Sequence, residues 1–166
     1  MIMEFVIWLA VFAACFVLQT TVVPVVGIFG IQPDLLLIAL MVLAIRHGSM
    51  SGIWAGFILG LAQDIYAPSV LGQHAFANAI VGFFIGLFNE RVMSTGPLVK
   101  LAILLVSFVL HDSLFVAVEV AKHGAALSAA LVSLLTQTIP RAAYSLCCAG
   151  IYFLWEYITR TPALKR

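Results

Sequence analysis

The chain has 166 residues, of which 64% are hydrophobic and 9% charged, with a formal net charge of +1 and a mean hydropathy of +1.17. Soluble domains carry about 25% charged residues, so a soluble enzyme or a basic nucleic-acid-binding domain is excluded. The composition is that of an all-α polytopic membrane protein, with residues 1–166 forming a single transmembrane domain.

The first predicted span runs from Phe5 to Val23 and stops before Pro24; Glu4 stands where a signal peptide would carry basic residues, so this is a retained helix. Gln32-Pro33-Asp34 opens the second, with Pro near the first helical position. Its apolar core, Leu35 to Ile45, rises only about 16 Å, so it must recruit neighbours, thin the bilayer or fail to cross. The third covers Ser51 to Tyr66, the fourth Leu71 to Asn89 and the fifth Pro97 to Ala121. The last, Leu127 to Tyr157, is too long for one straight crossing, and Pro140 is expected to kink it. With the amino terminus inside, Arg46, Arg91, Lys100, Arg160, Lys165 and Arg166 fall on the cytoplasmic side, and the outer connections hold only Lys122. This bias favours a cytoplasmic carboxyl terminus and orients everything after Arg46, but leaves the start open, since no basic residue precedes Arg46; length and charge together favour six spans with both termini cytoplasmic, with five the alternative if the second segment fails to cross. Cys15, Cys147 and Cys148 lie in apolar runs without disulfide or metal spacing and read as small buried hydrophobes.

Two nine-residue stretches share one pattern: GFILGLAQD, Gly56 to Asp64, and GFFIGLFNE, Gly82 to Glu90. Gly52, Gly56, Gly60 and Asp64 line one face of the third helix, and Asn78, Gly82, Gly86 and Glu90 one face of the fourth. Such flat stripes let helix backbones approach closely in lipid, against another helix of the chain or that of a partner. Consecutive spans run antiparallel, so Asp64 ends at the outer surface and Glu90 at the cytoplasmic one beside Arg91. The echo is one of packing, not of a shared acidic site.

Ionisable groups inside spans are functional candidates. Asp112 and Arg141 each lie about ten residues from the outer ends of their helices, about 15 Å in, and are predicted to pair. Glu119, on the Asp112 face, joins Asp34, Asp64, Gln73 and His74 nearer the outer boundary. A polar pocket in the extracytoplasmic half follows, serving either as a buried ion pair with capping residues or as a site for a ligand. His111, Asp112 and Ser113 are adjacent and are expected to point apart, so no catalytic relay forms. The four histidines have neither helical pair spacing nor cysteine partners, and no metal site or cofactor is expected. Trp155 and Tyr157 with Arg160, Lys165 and Arg166 read as a cytoplasmic interfacial anchor.

The order Q-P-D-L-L-L-I from Gln32, G-x-x-x-G-F-x-x-G-L-x-x-D from Gly52 to Asp64, and A-P-S-V-L-G from Ala67 to Gly72 resembles the rod shape-determining MreD family. Asp112 and Glu119 seven residues apart and a proline in the last span agree; Arg141 and the Cys147-Cys148 pair are not expected family features. The resemblance implies a six-helix bundle similar to the S components of energy-coupling factor transporters, in the bacterial cytoplasmic membrane, without enzymatic activity. It also implies MreC as partner, with indirect links to the MreB filament, RodA and its transpeptidase. On this reading Gly52, Gly56, Gly60, Gly82 and Gly86 hold a partner's transmembrane helix or a second copy. The rival reading is an S-component-like subunit that binds a small solute such as a vitamin in the outer polar pocket.

Overall fold

The computed structural model describes residues 2–27, 32–66, 71–88, 92, 96–123, 132, 136 and 138–160. Its helices are α1 (Ile2–Thr21), α2 (Val23–Val26), α3 (Leu35–Tyr66), α4 (Gln73–Leu87), α5 (Pro97–His123) and α6 (Ile139–Arg160). Three stretches are long and apolar enough to cross a membrane, Val6–Val25, Leu35–Tyr66 and Pro97–Lys122, and Gln73–Leu87 is a shorter apolar helix. The chain is an all-helical membrane protein.

Within α3 the backbone of Gly48 takes φ 82° and ψ −176°, a conformation that a Cβ atom opposes. There the chain doubles back. The Ala44 methyl lies 3.1 Å from where a Cβ on Gly52 would stand, although a straight helix would hold these residues about 12 Å apart. The limbs 35–47 and 49–66 are thus the predicted second and third segments, joined by a one-glycine turn.

The shortness of limb 35–47 has a packing reason. Leu36, Leu37, Leu40, Met41, Ala44 and Ile45 are all 4% exposed or less, and they pack with Val81, Ile85, Leu104, Phe108, Ala142 and Phe153 in one core cluster. A helix that is apolar on every side belongs in the centre of a bundle. Around it, the second limb of α3 packs on α4, α4 on α5 and α5 on α6, while α1 touches α3 along one side. That contact is narrow: only 6% of the apolar window in α1 is buried.

Pro140 is the second residue of α6, and Thr136 and Thr138 just before it are π-helical, a widened turn of the kind that accompanies a break in the helical hydrogen-bond ladder. Most of 127–137, the start of the predicted last span, lies outside the described residues. One expectation is corrected: Cys147 is exposed, and Cys15 and Cys148 are only half-buried. In lipid an outward thiol on an apolar helix meets no desolvation penalty, so burial is not required of it.

Candidate functional site

The glycine stripes meet each other. A Cβ on Gly52 would lie 2.8 Å from the carbonyl carbon of Gly82, one on Gly56 2.6 Å from that of Asn78, and one on Gly60 2.5 Å from that of His74. Gly82 faces Gly52 in return, and a Cβ on Gly86 would stand 2.6 Å from the carbonyl carbon of Gly48. The second limb of α3 and α4 therefore touch backbone to backbone. Gly52, Gly56, Gly60, Gly82 and Gly86 are all buried in this contact, which corrects the idea of an open partner face: another helix would have to displace α4 or α3 to reach them.

Close approach is what lets Asp64 reach its targets. Helix α4 starts after Gly72, which adopts φ 93° and has no side chain to cap the helix. Asp64, whose side chain is fully buried, supplies the cap from the neighbouring helix. Its Oδ2 accepts the N–H groups of Gly72 at 2.9 Å and Ala75 at 3.1 Å. Its Oδ1 accepts the His74 N–H at 2.9 Å and faces His74 Nδ1 at 2.8 Å. The exposed N–H groups and the positive end of a helix dipole make this a favourable place for a carboxylate. Further along the contact, Asn78 Nδ2 donates to Gln63 Oε1 at 2.7 Å. The acid that closes the glycine stripe is a helix cap delivered across it.

Asp34 starts α3 in the corresponding way. Its Oδ1 accepts the Leu37 N–H at 2.9 Å, an N-cap bond. Gln19 of α1 accepts the Leu35 N–H at 2.8 Å and donates to the Pro33 carbonyl at 3.0 Å. Ser145 Oγ of α6 accepts the Asp34 N–H at 2.9 Å. The other Asp34 oxygen takes Arg141 Nη2 at 2.6 Å, whereas Arg141 Nη1 stands 3.8 Å from Asp112 Oδ1. The predicted Asp112–Arg141 pair is present, and the shorter bond goes to Asp34.

Asp112 has a second neighbour. His111 Nδ1 lies 2.9 Å from Asp112 Oδ1. The expectation that His111 and Asp112 point apart is thereby corrected: adjacent side chains about 100° apart on a helix can bend together when both face the bundle interior, and these are 2% and 9% exposed. Ser113 does point away, exposed and donating to the Val109 carbonyl at 2.6 Å. His111 is the member of this core that sequence reasoning placed on another face. The signal was its register, since Leu104, Phe108 and His111 share the buried stripe of α5 with the half-buried Phe115.

The His74 and His111 rings are 6.1 Å apart, and Phe115 lies 4.8 Å from the first and 6.4 Å from the second. Gln73 Nε2 donates to the Phe115 carbonyl at 2.8 Å, tying α4 to α5. Asp34, Asp64, Gln73, His74, Asp112 and Arg141 thus belong to one polar layer built by α3, α4, α5 and α6. Glu119 is on α5 but its side chain lies outside the described residues, as do Glu90 and Arg91. Among the described residues no group of three or more His, Cys, Asp or Glu side chains could hold a metal ion.

A second polar cluster sits toward the other end of α5 and α6. Glu156 accepts Lys100 Nζ at 2.9 Å and Arg46 Nη2 at 3.3 Å, and the Lys100 ammonium stands 5.6 Å from the centre of the Phe153 ring. Arg46 is the residue two before the Gly48 turn, so this cluster marks the turn end of the hairpin and the Asp34–Asp64 layer its open end. Trp8 Nε1 donates to His47 Nε2 at 2.9 Å, fixing α1 to the same turn.

A family model described as rod shape-determining protein MreD matches residues 1–159 of the chain. No curated protein and no solved structure matches it.

Proposed function

The chain belongs to the MreD family of rod shape-determining proteins, and from that membership we propose that it is a non-enzymatic scaffold in the bacterial cytoplasmic membrane. It binds the transmembrane helix of MreC and links the MreB filament to lateral peptidoglycan synthesis by RodA and its transpeptidase. The observation that carries this reading is the extent of the match, residues 1–159, which takes in the polar layer and the glycine stripes together. The chain crosses the membrane six times, with both termini cytoplasmic, because Arg46, Lys100 and Arg160 then fall inside.

With α3 and α4 closed on each other, the partner contact falls on α1. Its outward face presents Ala10, Ala13 and Ala14 between the exposed Val6 and Val17, and small residues there admit a second helix at close range. Gln19 and Trp8, on the inward side, tie α1 to α3, so a helix docked on α1 is coupled to the polar layer. The test is co-purification of MreC from membranes. Ala14→Phe is expected to lose MreC while the variant accumulates normally, and an Ala14→Phe protein that still retains MreC at the wild-type level sinks the assignment to α1.

A further inference from the structure

We propose that the turn end of the α3 hairpin binds the phosphodiester headgroup of an anionic lipid of the phosphatidylglycerol class, with the Arg46 guanidinium and the Tyr152 hydroxyl as its donors. The Glu156 carboxylate is divided between two cations: Oε2 takes Lys100 Nζ at 2.9 Å, and Oε1 faces Arg46 Nη2 at 3.3 Å. The same Nη2 stands 3.4 Å from Tyr152 Oη. Both Arg46 contacts are longer than the roughly 2.8 Å of a well-made charge-assisted bond. A guanidinium pairs best with two oxygens of one anion through two parallel N–H groups. Lys100 denies it that geometry on Glu156, so among the described residues the contacts of Arg46 all run through one nitrogen, and the N–H groups of Nε and Nη1 remain to be used. Tyr152 Oη accepts from Arg46, so its own O–H is also still to be given.

Charge and position select the ligand. Arg46 and Lys100 carry two positive charges and touch one carboxylate between them, so one negative charge completes the group. The Arg46 side chain is 38% exposed, and the end of α6 beside it turns Ile151, Leu154, Trp155, Tyr157 and Ile158 outward. Exposed Trp and Tyr mark the headgroup level of a bilayer, and the apolar residues among them meet acyl chains. The unused donors therefore open where lipid phosphate is the abundant anion. A phosphodiester brings one negative charge and two unesterified oxygens that match the guanidinium fork. Water would meet the donors and leave the charge. A choline headgroup carries its own cation beside the phosphate and leaves the surplus too, whereas a glycerol headgroup carries none. Basic groups between helices at a membrane face attract anionic lipid on this principle. The contact lies between α3 and α6, apart from the outward face of α1, so it stands or falls independently of the partner contact proposed above.

The full chain, purified in detergent, is unfolded thermally in mixed micelles containing phosphatidylglycerol or phosphatidylcholine of the same acyl chains at one ionic strength, followed by tryptophan fluorescence. Phosphatidylglycerol is expected to raise the midpoint by about 2–4 °C over phosphatidylcholine at about five times its dissociation constant. Arg46→Gln is expected to abolish the difference, and Arg46→Lys, which keeps the charge without the fork, to retain about half of it or less. Lys122→Gln, which removes one exposed positive charge from the far end of α5, is expected to leave the difference in place. Because the Arg46 variants also act on Glu156, wild-type protein with 15N-labelled arginine provides a second readout: the Arg46 Nε–H resonance moves with phosphatidylglycerol and not with phosphatidylcholine. A response to phosphatidylglycerol alone that survives Lys122→Gln, in either measurement, supports the site. Equal midpoints in the two lipids with an unmoved resonance overturn it, as does a loss in Lys122→Gln equal to that in Arg46→Gln, which would make the effect general charge attraction. An equal rise from inorganic phosphate in phosphatidylcholine micelles overturns the lipid as the source.

Discussion

Gly56→Ala adds one methyl group where the structure has no room for it. The new Cβ would stand 2.6 Å from the carbonyl carbon of Asn78 and 2.9 Å from the backbone nitrogen of Ala79. Ordinary contact begins at 3.4 Å, and the Asn78 carbonyl oxygen stands closer to the new Cβ than its carbon does, so α3 and α4 must part by about 1 Å, and all these obstacles are backbone that cannot rotate away. Overpacking of this kind costs about 1–3 kcal/mol. Parting the helices also lengthens the Asp64 bonds to Gly72, His74 and Ala75, now 2.9–3.1 Å, toward the limit of useful geometry. Weakening that cap costs about 1 kcal/mol more, so the total is about 2–4 kcal/mol. Gly150 in α6 is the control: a Cβ there meets nothing within 4 Å, and Gly150→Ala is expected to stabilise by about 0.5–1 kcal/mol through helix propensity. Both variants are compared with wild type by denaturant unfolding in detergent, monitored by tryptophan fluorescence. If Gly56→Ala unfolds within about 0.5 kcal/mol of Gly150→Ala, the backbone contact between the stripes is refuted.

Asp64→Asn keeps one oxygen and turns an amide toward N–H donors, and should destabilise by about 2–3 kcal/mol; in combination with Gly56→Ala the losses should be less than additive, since both act on one cap, and a double-mutant cycle measures this. Arg141→Met leaves the buried Asp34 oxygen without its partner and should cost about 3 kcal/mol, with part of the loss recovered in Asp34→Asn/Arg141→Met; unfolding midpoints of the two variants against wild type check it, and an unrecovered double variant counts against the pair. Lys100→Met removes one of the two cations that the described residues place on Glu156 while keeping an apolar stem over Phe153, so a loss of only about 1 kcal/mol is expected, and a loss above about 3 kcal/mol would mean Arg46 gives Glu156 no support.

The hairpin and the stripes were legible because their signals are local. Hydropathy marks the segments, Gly48 falls between two of them, and four-residue spacing puts Gly52, Gly56, Gly60 and Asp64 on one face whatever that face meets. What the face meets was not legible, since a stripe of small residues is equally suited to α4 and to a partner's helix. The polar layer divides in the same way. Asp112 and Arg141 could be matched by depth, but Asp34, placed by its sequence at a helix start, is also the closer partner of Arg141, a contact across 107 residues. His111 is set apart from Asp112 by sequence reasoning because neighbouring residues on an ideal helix diverge, and only a shared buried side brings the imidazole and carboxylate together.

Composition and periodicity by themselves determined that this chain is a helical membrane protein with close-packing glycine faces and acids at helix ends, because lipid demands apolar length and internally satisfied backbone. Only the tertiary structure decided that the two glycine faces close on one another, that Asp64 caps α4, and that Asp34 holds Arg141. Each of these rests on atoms within about 3 Å of each other from distant parts of the chain, and a hydrogen bond is decided at that distance, far below the resolution of any pattern along a single helix.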